Sequence, residues 1–397
     1  MSVPAAPPFQ CFASCNSLIA VAKASARHSA TTVEIWNRHL TTASHWLDLL
    51  AHRRGFAKLC RVQQTLIHKL ESHGQFAPWW FLGIFLAATF LMVWRLEVLS
   101  AKGFEGTVLG TLVMPYCTGM GNLIFTVILG RSGGSGADVM TNSLVNNVTN
   151  MTLVLGLPAI IWGIKILPAK SSGPVKNRKK DSGKTRELNR LSLMLTLLAV
   201  LFFTGAVWAL GRNGRIDFNE GLVLVGLFLF WQCFHMFDVL KNNVRQGKSL
   251  GWSLPLDLAL LAVGAYGIYV STDWLVNWTS HIQTGFVSAK HLGWLSGWLM
   301  VLPNALLAVY YSWRGQPETV YASQVGDSHV SIPLCIGVYA LYHTMALPAF
   351  FQVSMLILLG ATLVHLFCVM LFGQLPRVVG WVLLAAYGFF LYKGLAG

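Results

Sequence analysis

From about Phe76 to Lys393 the chain alternates long apolar runs with short polar connections, and ten of the runs approach the roughly 20 apolar residues that carry a helix across a bilayer. They fall at 79–97, 106–130, 138–165, 190–211, 218–238, 254–276, 291–313, 319–342, 348–372 and 376–394. The pattern predicts an all-α membrane protein. Two of the runs are unusual in carrying polar residues near their middles or starts. "NSLVNNVTNMTLVLG" (Asn142 to Gly156) places four asparagines in a segment that otherwise reads as membrane-spanning, and "SQVGDSHVSIPLCIG" (Ser323 to Gly337) places Asp327 and His329 in another. Ionisable residues inside a span mark function by default. Asn142, Asn146 and Asn150 follow at four-residue spacing and so share one helical face, with Asn147 beside it. A single intramembrane Asn reads as interhelical glue, whereas a cluster that recurs in two runs reads as the lining of an ion path.

Residues 1–75 stand apart. After a Pro- and Ala-rich start, "TTVEIWNRHLTTASHWLDLLAHRRGFAKLCRVQQTLIHKL" shows capping-box spacing at Thr31 and Glu34, and a helical stripe of Leu59, Val62, Leu66 and Leu70. This predicts a basic, partly helical extension, either a solvated helical pair or a helix on an anionic membrane surface. No basic start with an apolar core and cleavage site marks a secretory signal.

Composition agrees with the runs: of 397 residues 54% are hydrophobic and 11% charged, which argues against a soluble globular fold. Among 15 Trp, those at 79, 80, 94, 274, 294, 313 and 381 fall near predicted span ends and read as interface anchors. The net charge of +14 is concentrated in connections. Nine Lys/Arg between Lys165 and Arg190, with Lys241, Arg245 and Lys248, assign that side to the cytoplasm and both termini to the outside, although Lys58, Arg61 and Lys69 pull the other way. Nucleic acid is not implied. The seven cysteines lack the spacing of a disulfide framework or a zinc site. "GRSGGSGAD" lacks the Lys-Ser/Thr of a phosphate loop and predicts a tight turn, and the sequons at Asn147 and Asn150 lie in a span, away from glycosylation.

An internal repeat divides the runs five and five. Asn122 and Asn304 each sit in mid-helix, followed by a Gly-containing turn and a polar cluster; Asn122 to Gly156 is 34 residues and Asn304 to Gly337 is 33. An odd number of spans per half inverts the second half in the membrane, and inverted repeats with polar, Gly-interrupted helices meeting at mid-membrane are a secondary-transporter pattern. The expected organisation is residues 1–75 as extension, 76–240 as the first five-helix repeat and 241–397 as the second.

These two segments resemble the alpha-repeats of the calcium/cation antiporter superfamily, which includes sodium/calcium exchangers and whose repeats read approximately GTSxPEL, then GNxxGSNxFNxxLVLG. "CTGMGNL" (Cys117 to Leu123) falls on the first motif, "NSLVNNVTNMTLVLG" on the second after a one-residue insertion, and Pro303 and Ser323 to Gly337 repeat the match. The resemblance implies a secondary cation antiporter of ten transmembrane helices in two inverted five-helix repeats, not an enzyme, working by alternating access in the lipid bilayer of a plasma (inner) membrane. Where the family has its two ion-binding glutamates, this chain has Asn122 and Asn304, and Gly121 replaces one motif proline. Calcium prefers 6–8 oxygens that commonly include carboxylates, so the substitutions predict altered selectivity. Asp327 is the carboxylate left in the repeat cores, with Asn146 as its counterpart in the other repeat. The ion-binding set implied by the resemblance is Thr118, Asn122, Asn146, Asn147, Asn304, Asp327 and Ser328, taking Na+, H+ or Ca2+ as transported cation, with no other metal and no cofactor. Two further readings are a transport-inactive relative serving as a membrane scaffold, and an intramembrane protease prompted by "QVGD"; the latter lacks the first Gly of its motif and a second aspartate.

Overall fold

The computed structural model describes residues 64–65, 67–101, 114–165, 178–246, 254–315 and 317–395; within these the side chains of 96–97, 99–101, 114–118, 178–189, 235–246, 254–255, 317–319, 322 and 329, Thr118 and His329 among them, lie outside the description. The expectations for residues 1–63, for Leu66 and for the basic stretch 166–177 fall outside the described residues. The chain separates into two units, Met1–Trp80 and Phe81–Gly397. In the first, the Ser72 hydroxyl donates to the Lys69 carbonyl and a 3-10 turn follows at Gly74–Phe76, entered with Gly74 at φ +58°.

The rest is helical. In chain order the helices are α1 Ala77–Ala101, α2 Met114–Ser132, α3 Gly136–Ile161, α4 Arg178–Leu210, α5 Phe218–Gln246, α6 Leu254–His281, α7 Leu292–Trp313, α8 over residues 317–342, α9 Phe351–Leu371 and α10 Arg377–Leu395. Seven of them are long and apolar enough to cross a membrane; α5 has a shorter apolar stretch, Phe218–Phe234. Large apolar side chains such as Phe202, Leu229, Phe230, Val263, Leu356 and Val382 remain exposed. In a bilayer such surface meets acyl chains, so its exposure carries no penalty.

Among the described residues the ten helices fall in chain order as two sets of five, α1–α5 and α6–α10, and the third helix of each set has the same segment lengths. Helix α3 consists of a 14-residue α segment (Gly136–Thr149), a five-residue π turn (Asn150–Val154) and a seven-residue α segment (Leu155–Ile161). Helix α8 repeats those lengths as Pro317–Val330, Ser331–Cys335 and Ile336–Tyr342. The sequence pattern predicts Gly-interrupted helices, and here the structure differs. The interruptions are π turns, "NMTLV" and "SIPLC", without glycine, so the chain path stays helical while one backbone carbonyl leaves the regular ladder.

The halves interlock by exchange. The end of α3 packs on α10 through Gly156 and Gly380, and the end of α8 packs on α5 through Gly337 and Gly221. A Cβ on Gly156 would meet the Gly380 carbonyl oxygen at 3.2 Å, and one on Gly337 would meet that of Gly221 at 3.0 Å. Small residues let backbones approach in membranes, where packing replaces hydrophobic drive. Likewise α4 packs on α9, α3 on α7, and α2 on α8. Short connections follow the same exchange: β1 Arg215–Ile216 pairs antiparallel with β2 Met345–Ala346, and Ile164 bridges Leu375. Between α1 and α6 the Arg95 guanidinium lies 3.5 Å from the buried Asp257 carboxylate, and Phe81 stacks on Trp274 at 4.1 Å.

Of the seven expected interface tryptophans, those at 79, 80, 94, 313 and 381 are exposed, whereas Trp274 and Trp294 are buried. Trp294 stands against Phe350 and Phe390, and Trp274 between Phe81 and Trp278, because their indoles fill gaps between helix ends rather than face outward. The Gly-rich stretch forms the predicted turn, joining α2 to α3 with Gly133 at φ +70°.

Candidate functional site

The two 14-residue segments bring Asn146 of α3 and Asp327 of α8, counterparts 181 residues apart, into direct contact: the Asn146 amide Nδ2 donates to Asp327 Oδ2 at 2.9 Å. One turn on, Asn150 Nδ2 donates to the same oxygen at 2.9 Å, since residues four apart share a helical face. Asn304 of α7 adds a third donor at 3.3 Å. All four side chains are buried. A carboxyl group taken out of water is costly unless hydrogen-bonded, and here three N–H donors converge on one of its oxygens.

Backbone and hydroxyl groups brace the cluster. Ser331, at the first position of the α8 π turn, shares its hydroxyl proton between Asn147 Oδ1 and the Asp327 carbonyl, both at 2.9 Å. Asn147 Nδ2 donates to the Ser143 carbonyl at 2.6 Å, and Gln324 Nε2 to the Asn304 carbonyl at 3.4 Å. On the far side of the carboxylate lies α2. A Cβ on Gly119 would stand 3.0 Å from Asp327 Oδ1, so the absence of a side chain there makes room for the acid.

The amide oxygens tell the other half of the story. Asn146 Oδ1, Asn150 Oδ1, Asn304 Oδ1 and Gln324 Oε1 are buried with no hydrogen-bond partner, as are both amide atoms of Asn122. Buried polar groups left without partners cost about 1–3 kcal/mol each and call for an explanation. Among the described residues no group of three or more His, Cys, Asp or Glu is placed to hold a metal. The oxygens available are neutral amides around a single carboxylate.

Of the residues expected from sequence, the structure gathers Asn146, Asn304 and Asp327 directly, and Asn147 through Ser331. Asn122 is buried on α2 with its side-chain amide reaching no hydrogen-bond partner, and Ser328 turns its hydroxyl to the Gln324 carbonyl at 3.4 Å on its own helix. Thr118 belongs to α2 one residue before Gly119. Asn142 keeps the face that its spacing predicts but meets α7 there instead of the cluster, donating to Ser296 Oγ at 3.0 Å, an interhelical tie. Asn150, Ser331, Gln324 and Gly119 were not in the expected set. Asn150 was legible from its spacing to Asn146 and Ser331 as the Asn150 counterpart; Gly119 carries no signal without the packing that places it.

The family model described as sodium/calcium exchanger protein matches residues 77–237 and 256–393. Among solved structures, the sodium/calcium exchanger from Methanococcus jannaschii is similar at 20% identity with a TM-score of 0.54, over 78% of this chain and 94% of that one. The same exchanger soaked with 10 mM Na+ and zero Ca2+ gives the same four values. Soaked with 2.5 mM Na+ and 10 mM Sr2+, it gives 20% and 0.53 over the same shares. At that identity the likeness concerns the fold. No curated protein matches.

Proposed function

The chain belongs to the sodium/calcium exchanger protein family, an integral multi-pass membrane transporter of cations, and from that premise we propose that it is a secondary antiporter whose midplane site takes a monovalent cation, Na+ or H+, in preference to Ca2+. The observation that carries this reading is the composition of the crossing point: one buried carboxylate, Asp327, ringed by amides whose oxygens are unpartnered. A carboxylate beside a monovalent cation gives a neutral site. Beside Ca2+ it leaves one positive charge uncompensated in a low-dielectric interior, where desolvation of an unpaired charge costs many kcal/mol.

The amides serve both states of the site. In the cation-free state the N–H groups of Asn146, Asn150 and Asn304 hydrogen-bond the Asp327 carboxylate in place of the cation. Half a turn about each terminal bond brings the unpartnered oxygens to the same point, so that a cation near Oδ2 exchanges three donors for three ligands with little backbone movement. A carboxylate stable without its cation is what an antiporter needs when it returns through one exchange state to the other. In the full reading Asn122, Asn147, Ser328 and Thr118 complete the lining of the path. Residues 76–240 and 241–397 are the two repeats that rock around it, and the protein sits in a plasma (inner) membrane. A transport-inactive scaffold would have no use for a buried acid among unpartnered amides.

The test is uptake into proteoliposomes carrying an outward sodium or proton gradient, with labelled sodium or labelled calcium outside. Gradient-driven sodium uptake, lost in Asp327→Asn protein that remains folded, is expected. Calcium uptake exceeding sodium uptake would overturn the selectivity, and full flux in Asp327→Asn would overturn the site.

A further inference from the structure

Helices α3 and α8 make the same π turn by different means. In α8 the turn contains Pro333, which has no N–H to offer and so removes a rung of the helix by covalent structure. The α3 turn, Asn150 to Val154, contains neither proline nor glycine. A π turn releases a backbone carbonyl from the regular ladder, and in a water-free interior that carbonyl requires a donor from elsewhere. In α3 the donor comes from α9: the His365 Nε2–H donates to the Met151 carbonyl at 2.8 Å. His365 is buried, its ring lies edge-on to Tyr321 at 5.4 Å, and its Nδ1 has no hydrogen-bond partner. The one hydrogen bond of the imidazole is therefore the one to the π turn. Met151 follows directly on Asn150, whose amide reaches Asp327.

We infer that His365 is a positioning residue for the cation site: by holding the Met151 carbonyl it keeps the proline-free π turn of α3 open and sets the angle at which Asn150 presents its amide to Asp327. Its consequence for transport rests on the monovalent-cation reading above, while its consequence for the α3 backbone does not. The Asn150 backbone N–H bonds the Asn146 carbonyl, so these two residues move as one unit, and the end of α3 is seated at Gly156 on Gly380. Released from His365, α3 can close into regular α-helix, which turns that unit against Asp327 and draws the Asn150 amide away from the carboxylate. Affinity for the cation falls, and the rocking step is untouched.

Full-length His365→Asn and His365→Gln proteins separate the donor from the bulk it occupies. The Gln amide ends near the imidazole Nε2 position, whereas the Asn amide ends near Nδ1 and cannot reach Met151. In proteoliposomes with labelled sodium, His365→Asn is expected to raise the apparent KM about 10- to 100-fold, the range for loss of a group that orients a metal ligand, with maximal rate nearly unchanged. Hydrogen–deuterium exchange over residues 150–156 is expected to accelerate in the same protein, and His365→Gln to restore both. Unchanged KM and unchanged exchange in His365→Asn overturn the inference, as does a folded His365→Gln that behaves like Asn. If wild-type protein moves no sodium, the transport reading fails, and the exchange measurement alone decides the role of His365. If His365→Asn is not recovered folded, His365→Met, of Gln length without a donor, takes its place under the same criteria.

Discussion

The third helices of the two halves share one architecture and divide the chemistry. Helix α3 and helix α8 have equal α, π and α segments, and their ends rest on equivalent glycine pairs. Yet α3 offers Asn146 and Asn150 where α8 offers Asp327 and Ser331. The difference teaches why the charge occurs once. Equivalent positions of an inverted repeat meet at the symmetry crossing, so Asn146 and Asp327 lie within hydrogen-bond distance of one another. Two carboxylates there would repel unless they shared a proton or a divalent ion. An amide facing a carboxylate turns that contact into a hydrogen bond.

Exchanging the two side chains is the most severe trial of this comparison. Asp327→Asn removes the charge and is expected to abolish cation uptake, while the double exchange Asn146→Asp with Asp327→Asn returns the charge to the equivalent position of the other half. Partial recovery of sodium uptake in the double variant is expected; none at all would mean that the halves are equivalent in backbone only. Next in size, Asn146→Asp alone creates the carboxylate pair. It is expected to shift preference toward divalent ions, read as calcium-dependent thermal stabilisation that wild-type protein lacks by tenfold or more in concentration, since each extra 1.4 kcal/mol of binding is a factor of 10.

The scaffold part of the comparison is tested by Gly156→Ala and Gly337→Ala. Each places a methyl against a facing carbonyl, at 3.2 and 3.0 Å, and overpacking of this kind costs about 1–3 kcal/mol. Both should lower the unfolding temperature by similar amounts, and a large inequality would show that only one half depends on close backbone approach. The smallest effect is expected of Asn142→Ala, which removes one bond to Ser296. Such ties are worth about 0.6–2 kcal/mol in membranes. Sodium uptake per folded protein should be unchanged, and a changed KM would return Asn142 to the ion path.

The sequence by itself determined the class of molecule and three of the side chains, Asn146, Asn304 and Asp327, that the fold brings together. Apolar run length marks the membrane helices, because a bilayer admits few other ways to satisfy backbone groups; it reads ten, where seven of the described helices are long and apolar enough to cross and α5 has a shorter apolar stretch. The register of Asn122 with Asn304 and of Asn146 with Asp327 was legible, because a repeat keeps its spacing even after its residues diverge. Four-residue spacing likewise placed Asn146 and Asn150 on one face. What spacing along one helix cannot state is which neighbour a face meets. Asn142 shares the face of Asn146 but lies beside Ser296, and only the crossing of α3 over α7 decides that. Gly119 has no side chain to announce a role; it belongs to the site because α2 passes beside Asp327 at that height. The π turns were not foreseen either, since "NMTLV" has no residue that breaks a helix and its released carbonyl is met by His365, 214 residues further along. Hydrogen bonds between distant segments depend on three-dimensional approach, and the tertiary structure alone supplies that.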